Sequence, residues 1–406
     1  MSAPGRIAVV GAGLAAVSLC DVLRDRGYDG QLVLYSAERG LPYDRPPLSK
    51  DVLLGKARRE DVLLRPEQWY ADQGVELHDG ALVRAIRPHD GGVELANGRT
   101  ATADRIVLAT GGTPRALPVF GGDDPAVHLL RTWEDAERLR AQLLPGARVA
   151  VIGAGLIGAE TAAVASALGC RVTLIDPVPV PLRAVVGEKI AGTLHARHSA
   201  EGIEVRTAGV ERIERRPGRR EVLVHLSGQG GAVAADTVVA GIGIRPATEL
   251  AEAAGLTVDN GIVVQAGQRT SHPNILAVGD VARQDGHRVR HEHWDAAQRD
   301  GEAAALAIMG RPGPKPTATW FWSDRHGSRL EAVGTMADAE RTVVRGAPGD
   351  GTFTVFGLHG DRLVAAAAID RAREVKAARR LIDRGIPVDP AQLADESADL
   401  RKLLKG

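Results

Sequence analysis

The sequence contains few cysteines, and this excludes several kinds of site. Cys20 and Cys170 are the two cysteines among 406 residues, and they lie far apart in the chain. Without a Cys-x-x-Cys pair, a thiol relay between neighbouring cysteines and a cysteine-rich metal site are both excluded. Such sparing use of cysteine is typical of the reducing cytoplasm, which is the location that we expect.

Aromatic residues, net charge and long apolar runs are also scarce. Phe, Trp and Tyr make up 3% of the chain, and 51 basic residues balance 51 acidic ones. A nucleic-acid-binding protein would carry a basic excess and aromatic residues for stacking, so this class is disfavoured. Because no uncharged apolar run reaches ~18 residues, we expect no helix that spans a membrane. At roughly 150 residues per domain, the length predicts two to three domains.

Glycine is abundant, with 48 residues, and it marks an internal repeat. IAVVGAGLAAV begins at Ile7 and VAVIGAGLIGA begins at Val149. Each segment reads as an apolar strand, a glycine turn, a helix of small residues and a second apolar strand. The helices are predicted to end near Gly27 and Gly169, since glycine is common just after a helix. The chain therefore contains the strand–helix–strand unit twice.

Both glycine turns match the dinucleotide-binding fingerprint. Its first glycine makes the turn, its second lets the backbone approach a pyrophosphate, and its third small residue lets the helix pack on the strand. One copy alone could be a structural turn, but two copies in matching contexts predict two dinucleotide sites. The matching residues are Gly11, Gly13 and Ala16 in the first copy, and Gly153, Gly155 and Gly158 in the second.

The fingerprint also requires an acidic residue about 20 positions further on, to hold ribose hydroxyls. Glu38 and Asp176 occupy these positions. A carboxylate at Asp176 would repel the 2′-phosphate of NADPH, so the sequence favours NADH. Arg171 and Arg183 lie close enough in sequence to weaken that preference.

Three apolar segments that end in small residues follow the repeats: ADRIVLATGG, ADTVVAGIGIRP and NILAVGDVA. After Pro312-Gly313-Pro314 the sequence changes to WFWSD, strand-like alternation and a polar C-terminal helix. The fold class predicted is α/β, with two Rossmann-like domains and a C-terminal α+β domain. The first domain is discontinuous, over residues 1–114 and 245–313; the second spans 115–244 and the C-terminal domain spans 314–406.

The run LPYDRPPLSK, which ends at Lys50, together with ATGG, AVGD and WFWSD, carries a family resemblance over essentially the whole chain. It resembles the FAD- and NADH-dependent ferredoxin reductases of bacterial oxygenase systems, within the pyridine nucleotide-disulfide oxidoreductase superfamily. The resemblance implies a glutathione-reductase-like arrangement in which the first fingerprint binds FAD and the second binds NADH. Residues 1–114 and 245–313 would then form the FAD-binding domain, and residues 115–244 the NAD-binding domain.

The resemblance also implies which residues form the two sites. For FAD these are Gly11, Gly13, Ala15, Ala16, Glu38, Arg45, Lys50, Val83, Thr110, Gly111, Arg131, Gly279, Asp280 and Trp294. For NAD they are Gly153, Gly155, Ile157, Gly158, Glu160, Asp176, Arg183 and Gly243. The pair nearest to a catalytic role is Lys50 with Glu160, which would lie at the N5 edge of the flavin. Simpler interpretations remain open: Asp280 could cap a turn, Lys50 could be solvated, and Glu160 could be an ordinary helix residue.

Two further segments, HEHW and WFWSD, contain aromatic residues. A helix is predicted from the HEHW segment to Met309, with its N-terminus toward the flavin pyrimidine edge, where it would stabilise negative charge. Because His291 and His293 have no third ligand nearby, we expect no metal site. The resemblance places Trp320 and Trp322 at the flavin–nicotinamide face, and packing in the core is an equal alternative.

The function implied is electron transfer from NADH through FAD to a small acidic [2Fe–2S] ferredoxin that serves a monooxygenase or dioxygenase. Docking is expected on basic residues such as Arg311, Arg379, Arg401 and Lys402, each of which could instead be a solvated surface residue. Relatives that reduce disulfides use a cysteine beside the flavin. Cys20 and Cys170 are each expected to be buried in the helix after a fingerprint, so that activity is disfavoured. Two alternatives stay open: a rubredoxin or quinone reductase, and an NADH-sensing flavoprotein that signals to a protein partner.

Overall fold

The computed structural model describes residues 4–216 and 218–405, and it divides into two compact units. Unit 1 comprises Met1–Asp44, Arg59–Thr113 and Ile244–Lys315. Unit 2 comprises Arg45–Arg58, Pro114–Gly243 and Pro316–Gly406. The short segment Arg45–Arg58 thus groups with the second repeat and the C-terminal region. The domain boundaries given above stay a prediction.

The strands follow the apolar segments of the sequence. In chain order they are β1 Arg6–Val10, β2 Gln31–Tyr35, β3 Val75–His78, β4 Val83–Arg87, β5 Gly92–Leu95, β6 Thr100–Thr102, β7 Arg105–Leu108, β8 Gly112–Pro114, β9 Val127–His128, β10 Arg148–Ile152, β11 Arg171–Asp176, β12 Glu204–Thr207, β13 Val210–Arg215, β14 Val222–Leu226, β15 Ala232–Ala235, β16 Thr237–Ala240, β17 Ile244–Pro246, β18 Ile262–Val264, β19 Ile275–Ala277, β20 Ala282–Gln284, β21 Trp320–Arg325, β22 Ser328–Gly334, β23 Arg341–Arg345, β24 Thr354–His359 and β25 Arg362–Ile369.

The α-helices alternate with the strands in both repeats. They are α1 Leu14–Asp25, α2 Glu67–Asp72, α3 Trp133–Arg140, α4 Leu156–Ala167, α5 Arg183–Val186, α6 Glu188–Ala200, α7 Glu249–Ala253, α8 Trp294–Ile308, α9 Ala372–Arg384 and α10 Pro390–Ala394.

Unit 1 is built on a five-stranded sheet of order β19-β7-β1-β2-β3. Its strands run parallel and are largely apolar, because both faces are covered. Helices α1 and α8 pack on one face, and residues of β4 and β5 pack on the other. Helix α1, which follows the first glycine turn, packs against α8. A side chain at Gly301 of α8 would lie 2.4 Å from the carbonyl oxygen of Ala15, so glycine is what permits this close contact.

Unit 2 repeats the same topology and adds an antiparallel sheet. Its parallel sheet has the order β12-β11-β10-β16-β9, and β10 pairs with β11 and β16 as β1 pairs with β2 and β7. The C-terminal region forms an antiparallel sheet of order β21-β22-β25-β24-β23, and α9 packs on it over the fully buried Phe356. The predicted α/β fold with a C-terminal α+β region is confirmed.

The cysteines differ from the prediction in one respect. Cys20 is fully buried in α1, as expected. Cys170 was predicted within the second helix, and this is wrong: α4 ends at Ala167, and Cys170 directly precedes β11. The cause is Gly169, whose φ of +84° is in the left-handed region and ends the helix before the cysteine.

Helices long and apolar enough to cross a membrane are absent from the described residues 4–216 and 218–405.

Candidate functional site

The first glycine of each fingerprint is required by the turn itself. Gly11 has a φ of +104° and Gly153 a φ of +97°, a region that other residues avoid. A Cβ atom at Gly11 would also lie 2.2 Å from the carbonyl oxygen of Ala109. These two positions hold β1 and β10 in tight turns into the helices that follow.

The second glycine of each fingerprint has no such explanation within the protein. Gly13 and Gly155 have φ values of −78° and −67°, which any residue can adopt. Among the described residues, no heavy atom lies within 4 Å of the place where their Cβ atoms would be. Glycine leaves this space open, and the described residues do not fill it. The space therefore fits a ligand that approaches the backbone closely.

The helix ends at these glycines are suited to an anion. In the described part of the chain, neither α1 nor α4 has a side-chain cap, and neither carries an acidic residue in its first turn. Backbone N–H groups and the positive end of the helix dipole therefore face the open space left by Gly13 and Gly155. This arrangement binds the pyrophosphate of a dinucleotide.

The third position of the fingerprint sets how closely helix and strand pack. Ala16 is fully buried. In the second copy, a Cβ atom at Gly158 would lie only 1.9 Å from the carbonyl oxygen of Gly153. The second helix is therefore seated so tightly on its turn that only glycine fits.

Of the two predicted acidic residues, Asp176 ends β11, and Glu38 lies in the loop that follows β2. Glu38 Oε2 accepts a hydrogen bond of 2.5 Å from the hydroxyl of Tyr43. Asp176 Oδ2 accepts one of 2.7 Å from the N–H of Ala154, in the second glycine turn, and its Oδ1 accepts one of 2.8 Å from the N–H of Val178. The backbone thus fixes the Asp176 carboxylate beside the second fingerprint.

The two arginines near Asp176 in sequence are directed elsewhere. Arg171 begins β11 and Asp176 ends it, so about 16 Å of extended chain separates them. Arg183 pairs with Glu188 at 2.6 Å and is largely exposed. The geometry therefore leaves Asp176 as the charge next to the second glycine turn.

The remaining unit 1 residues predicted for FAD cluster in part. Gly279 has a φ of +73°, and a Cβ atom there would lie 3.1 Å from Cβ of Ala15, so the segment with Gly279 and Asp280 reaches the first turn of α1. The hydroxyl of Thr110 donates to the carbonyl oxygen of Ala247 at 2.7 Å. Gly111 has a left-handed φ of +65°, and Val83 is buried at the start of β4.

Helix α8 begins at Trp294, as the HEHW segment predicts. Nε1 of Trp294 donates to Asp44 Oδ1 at 3.0 Å. Burial lowers the pKa of His293, which precedes the helix, to about 4, so this imidazole is neutral at pH 7. The first turn of α8 is therefore joined to Asp44 by a hydrogen bond that the sequence did not predict.

Three residues predicted for FAD lie in unit 2: Arg45, Lys50 and Arg131. Arg45 Nη1 donates to the backbone oxygen of Arg131, so these two are brought together. Lys50 directly follows a 3₁₀ helix, Pro46–Ser49, which packs against α4.

Lys50 and Glu160 form the ion pair that the resemblance implies. Lys50 Nζ lies 2.8 Å from Glu160 Oε2, and the glutamate side chain is only 2% exposed. Two hydroxyl groups complete the carboxylate's surroundings: Ser49 Oγ donates to Oε2 at 2.5 Å and Ser323 Oγ donates to Oε1 at 2.7 Å. A buried carboxylate is stable only with such partners, so these three contacts compensate for the burial of the Glu160 side chain inside unit 2.

Ile157 and Gly243 are two further residues predicted for NAD. Ile157 lies in the first turn of α4 and is 44% exposed, which is high for a large apolar residue. Gly243 follows β16 with a left-handed φ of +93°. An exposed apolar side chain at the mouth of the second fingerprint fits the flat face of a nucleotide ring.

The two tryptophans of WFWSD stack on each other. The ring centroids of Trp320 and Trp322 are 5.0 Å apart at an interplanar angle of 25°, and both are half-buried. Because neighbouring residues in a strand point to opposite faces, the tryptophans lie on the face of β21 opposite Ser323. Their placement at the flavin–nicotinamide face stays a prediction.

The basic residues predicted for docking have uneven exposure. Arg311 donates to the backbone oxygen of Arg26, and the half-buried Arg379 donates to Thr317. Arg401 pairs with Asp399 at 2.9 Å, and Lys402 is exposed.

Groups of three or more His, Cys, Asp or Glu residues that could hold a metal ion are absent from the residues that the structure describes.

Comparison with known proteins places the chain in a family. Residues 5–301 match the pyridine nucleotide-disulphide oxidoreductase family, and residues 320–404 match the reductase C-terminal family. The chain is 43% identical to the ferredoxin–NAD(+) reductase component of the anthranilate 1,2-dioxygenase system of Burkholderia cepacia, over 98% of each chain. It is 38% identical to putidaredoxin reductase of Pseudomonas putida, over 100% of this chain and 98% of that one.

A solved structure extends the likeness to three dimensions. The covalent putidaredoxin reductase–putidaredoxin complex matches with a TM-score of 0.94 and 37% identity, over 100% of this chain and 99% of that one. The predicted family resemblance is confirmed: the chain belongs to the pyridine nucleotide-disulphide oxidoreductase family and carries its reductase C-terminal domain.

Proposed function

We propose that this chain is an FAD-dependent NADH:ferredoxin reductase, which passes electrons from NADH to a [2Fe–2S] ferredoxin of an oxygenase system. The observation that carries the proposal is the open space beside the second glycine of each fingerprint. At both Gly13 and Gly155 a capless helix end faces space that the described residues leave open. Two such dinucleotide-binding turns in one chain are what an enzyme that binds both a flavin and a nicotinamide dinucleotide requires.

Unit 1 is the proposed FAD-binding part. The first turn of α1 would hold the pyrophosphate, since Gly13 leaves its backbone accessible. Glu38, which follows the second strand of the repeat, would hold a ribose of the adenosine part. Asp280 would hold the ribityl chain, and the N-terminus of α8 would stabilise negative charge on the flavin ring. The contributions of Arg45, Lys50 and Arg131, which lie in unit 2, rest on the family resemblance.

Unit 2 is the proposed NADH-binding part. The N-terminus of α4 would hold the pyrophosphate, and the fixed carboxylate of Asp176 would accept from the ribose hydroxyls of NADH. The same carboxylate would repel a 2′-phosphate, because two like charges would meet beside a helix end. The coenzyme preferred is therefore NADH.

FAD, when bound, accepts two electrons as a hydride from NADH and releases them singly to an iron–sulfur acceptor. The protein's own tasks are orientation and electrostatics. Glu160 would hold Lys50 in place through their 2.8 Å ion pair, and the buried pair would position the nicotinamide. Neither residue would transfer a proton.

The cysteines have no part in this route. Burial raises the pKa of the Cys20 thiol far above its usual range, and burial also raises the pKa of Cys170. A thiol is reactive only as the thiolate, so both cysteines are inert at neutral pH. The disulfide-reducing activities of relatives on this scaffold are therefore disfavoured.

The partner proposed is a small acidic ferredoxin, for which Arg311, Arg379, Arg401 and Lys402 offer positive charge. Opposite charges steer such encounters even when the whole chain is neutral. Dependence on NADH and the sparing use of cysteine both favour the cytoplasm as the location.

The test is steady-state turnover of the FAD-loaded protein with NADH and alternative acceptors. We expect rapid reduction of at least one [2Fe–2S] ferredoxin in a panel, with rubredoxin, a quinone and a dye as comparison acceptors. Equal or faster turnover with rubredoxin or the quinone would favour that reductase instead. Slow turnover with every acceptor, together with a long-lived reduced flavin–nicotinamide complex, would favour a signalling role.

A further inference from the structure

Strand β21 brings a buried hydroxyl from the C-terminal sheet to the Lys50–Glu160 pair. Ser323 is fully buried, and its Oγ donates to Glu160 Oε1 at 2.7 Å. The two residues are 163 positions apart in sequence. This contact is therefore made by the tertiary fold, since β21 packs against α4, the helix that carries Glu160.

The alternation of β21 directs Ser323 toward Glu160. Phe321, Ser323 and Arg325 form the buried face of the strand, while the residues between them are half-buried. The antiparallel register with β22 pairs Ser323 with Leu330, which is also fully buried. A strand fixed by this ladder and by a buried face cannot slip by one residue without turning Ser323 away.

The hydrogen bond from Ser323 completes the surroundings of the carboxylate. Glu160 Oε2 already accepts from Lys50 and Ser49, whereas the bond from Ser323 is made to Oε1. A buried oxygen that lost this donor would be left unsatisfied, and the carboxylate could relieve the loss by rotating. Rotation would move Oε2 away from Lys50.

Arg325 adds positive charge on the same face of β21. Burial lowers the pKa of Arg325 to about 10, and the negative charge of Glu160 opposes that shift. Its Nε and Nη2 atoms are buried and have no hydrogen-bond partner among residues 4–216 and 218–405. The buried face of β21 thus supplies both a hydroxyl and a cation toward one carboxylate.

We propose that Ser323 is a positioning residue for hydride transfer: its hydroxyl holds the Glu160 carboxylate toward Lys50, so the C-terminal sheet helps to shape the nicotinamide site. This inference rests on the proposed function, because it assigns Ser323 to the Lys50–Glu160 pair of that function.

The test compares single-turnover reduction of bound FAD by NADH in the wild type, Ser323→Ala, Ser323→Cys and Ser323→Thr. Loss of a hydrogen bond to a charged group is expected to slow the limiting rate constant about tenfold in Ser323→Ala, with little change in the apparent Kd for NADH. Ser323→Cys fills the space with a poor donor and should be similarly slow. Ser323→Thr keeps the hydroxyl and should recover most of the rate.

Thr354→Val is the matched control. Thr354 is also fully buried in the C-terminal sheet, and its hydroxyl also donates to a carboxylate, that of Glu374. It lies on β24, away from β21 in the strand order. Thr354→Val should lower the Tm of the protein and leave the rate of flavin reduction unchanged.

Other results would overturn the proposed role of Ser323. If Ser323→Ala and Ser323→Cys both reduce their flavin as fast as the wild type, or if Thr354→Val is slowed equally, Ser323 has a structural role only. An increased Kd for NADH with an unchanged rate constant also overturns the proposal. Failure of NADH to reduce the wild-type flavin is a different result, since it rejects the proposed function itself.

Discussion

We propose that a single side chain, that of Asp176, sets the coenzyme preference. Both of its oxygens accept backbone N–H groups, so the carboxylate cannot easily move aside for a 2′-phosphate. Asp176→Ala is expected to lower kcat/KM for NADH about tenfold, because a charged hydrogen bond is lost. It should raise kcat/KM for NADPH, since the repulsion is removed.

Steady-state kinetics with both coenzymes and a fixed ferredoxin concentration measure this change. Asp123→Ala is a suitable control, because Asp123 is an exposed acidic residue of the same unit. An unchanged ratio of the two kcat/KM values in Asp176→Ala would contradict the assignment of Asp176.

A second carboxyl group, that of Asp300, lies in the middle of α8 and contacts the proposed flavin site. Its Oδ2 accepts from the N–H of Gly279 at 3.1 Å, and its Oδ1 accepts from Nε2 of Gln268 at 2.8 Å. Burial, with a smaller contribution from the charge of Asp280, raises the pKa of Asp300 to about 7, although the N–H of Gly279 and the charge of Arg299 act in the opposite direction.

Asp300 should therefore make the stability of the fold depend on pH. An unfolded aspartate has a pKa near 3.9, so between about pH 4 and pH 7 the folded form binds a proton that the unfolded form does not. The stabilisation from this group is present below pH 4 and is lost as the pH rises to 7. Asp300→Asn is neutral throughout and lacks this component.

Urea denaturation of both proteins at pH 5 and pH 8 measures the effect, at equal FAD content. Relative to Asp300→Asn, the wild type is expected to lose about 2–3 kcal/mol of unfolding free energy between pH 5 and pH 8. A difference between the two proteins that is the same at both pH values would show that Asp300 is ionised in the folded state.

Within the second strand–turn–helix unit, two glycines serve different purposes. Gly155 has an ordinary φ of −67° and open space beside it. A Cβ atom at Gly158 would lie 1.9 Å from the carbonyl oxygen of Gly153. We therefore propose that Gly155 leaves room for the ligand, whereas Gly158 is needed for the packing of α4.

Substitution by alanine separates these two requirements. Gly155→Ala should fold with an unchanged Tm and retain FAD, and its affinity for NADH should fall about tenfold because the methyl group occupies the pyrophosphate space. Gly158→Ala should lose about 1–3 kcal/mol of stability, since the methyl group overpacks the turn.

Thermal unfolding and NADH titration of both variants provide the measurement. A loss of stability in Gly155→Ala equal to that in Gly158→Ala would show that the protein itself fills the space beside Gly155.

The elements were predictable where local pattern determines them. The apolar strands after Ile7 and Val149 and the small-residue helices repeat closely, so the two parallel sheets could be predicted from spacing. Cys170 was misplaced because α4 ends at Ala167, before the left-handed Gly169, so the helix does not reach the cysteine. The order β21-β22-β25-β24-β23 could not be predicted, since pairing of antiparallel strands depends on contacts between distant segments.

The same distinction applies to the candidate site. The fingerprint glycines and Asp176 belong to short motifs whose spacing reflects the ligand. Lys50 and Glu160 were predicted by family resemblance, and the structure joins them. Ser323 and Asp300 were not predicted, because a serine or aspartate inside a strand or helix has no local signal that names a partner far along the chain.

Because the whole molecule has zero net charge, attraction of an acidic ferredoxin must depend on local groups of basic residues. Arg401 already pairs with Asp399, so Lys402 and Arg311 are expected to contribute more to attraction of an acidic partner. The kcat/KM for ferredoxin should fall severalfold between low and high salt, and Lys402→Glu should lower it further at low salt.

Steady-state rates over a range of NaCl concentrations test this expectation. The rate constant for flavin reduction by NADH serves as the internal control, because it does not involve the ferredoxin. Insensitivity of the ferredoxin reaction to salt would mean that docking does not use these charges.

The proposed reaction requires one chain to bind both FAD and NADH and to transfer a hydride between them. It can be followed by an anaerobic titration of the FAD-loaded protein with NADH in the visible spectrum. We expect prompt bleaching of the flavin band, complete at about one equivalent of NADH, because NADH delivers the two electrons that FAD accepts. A bound flavin that is reduced only slowly, or only by NADPH, would contradict it.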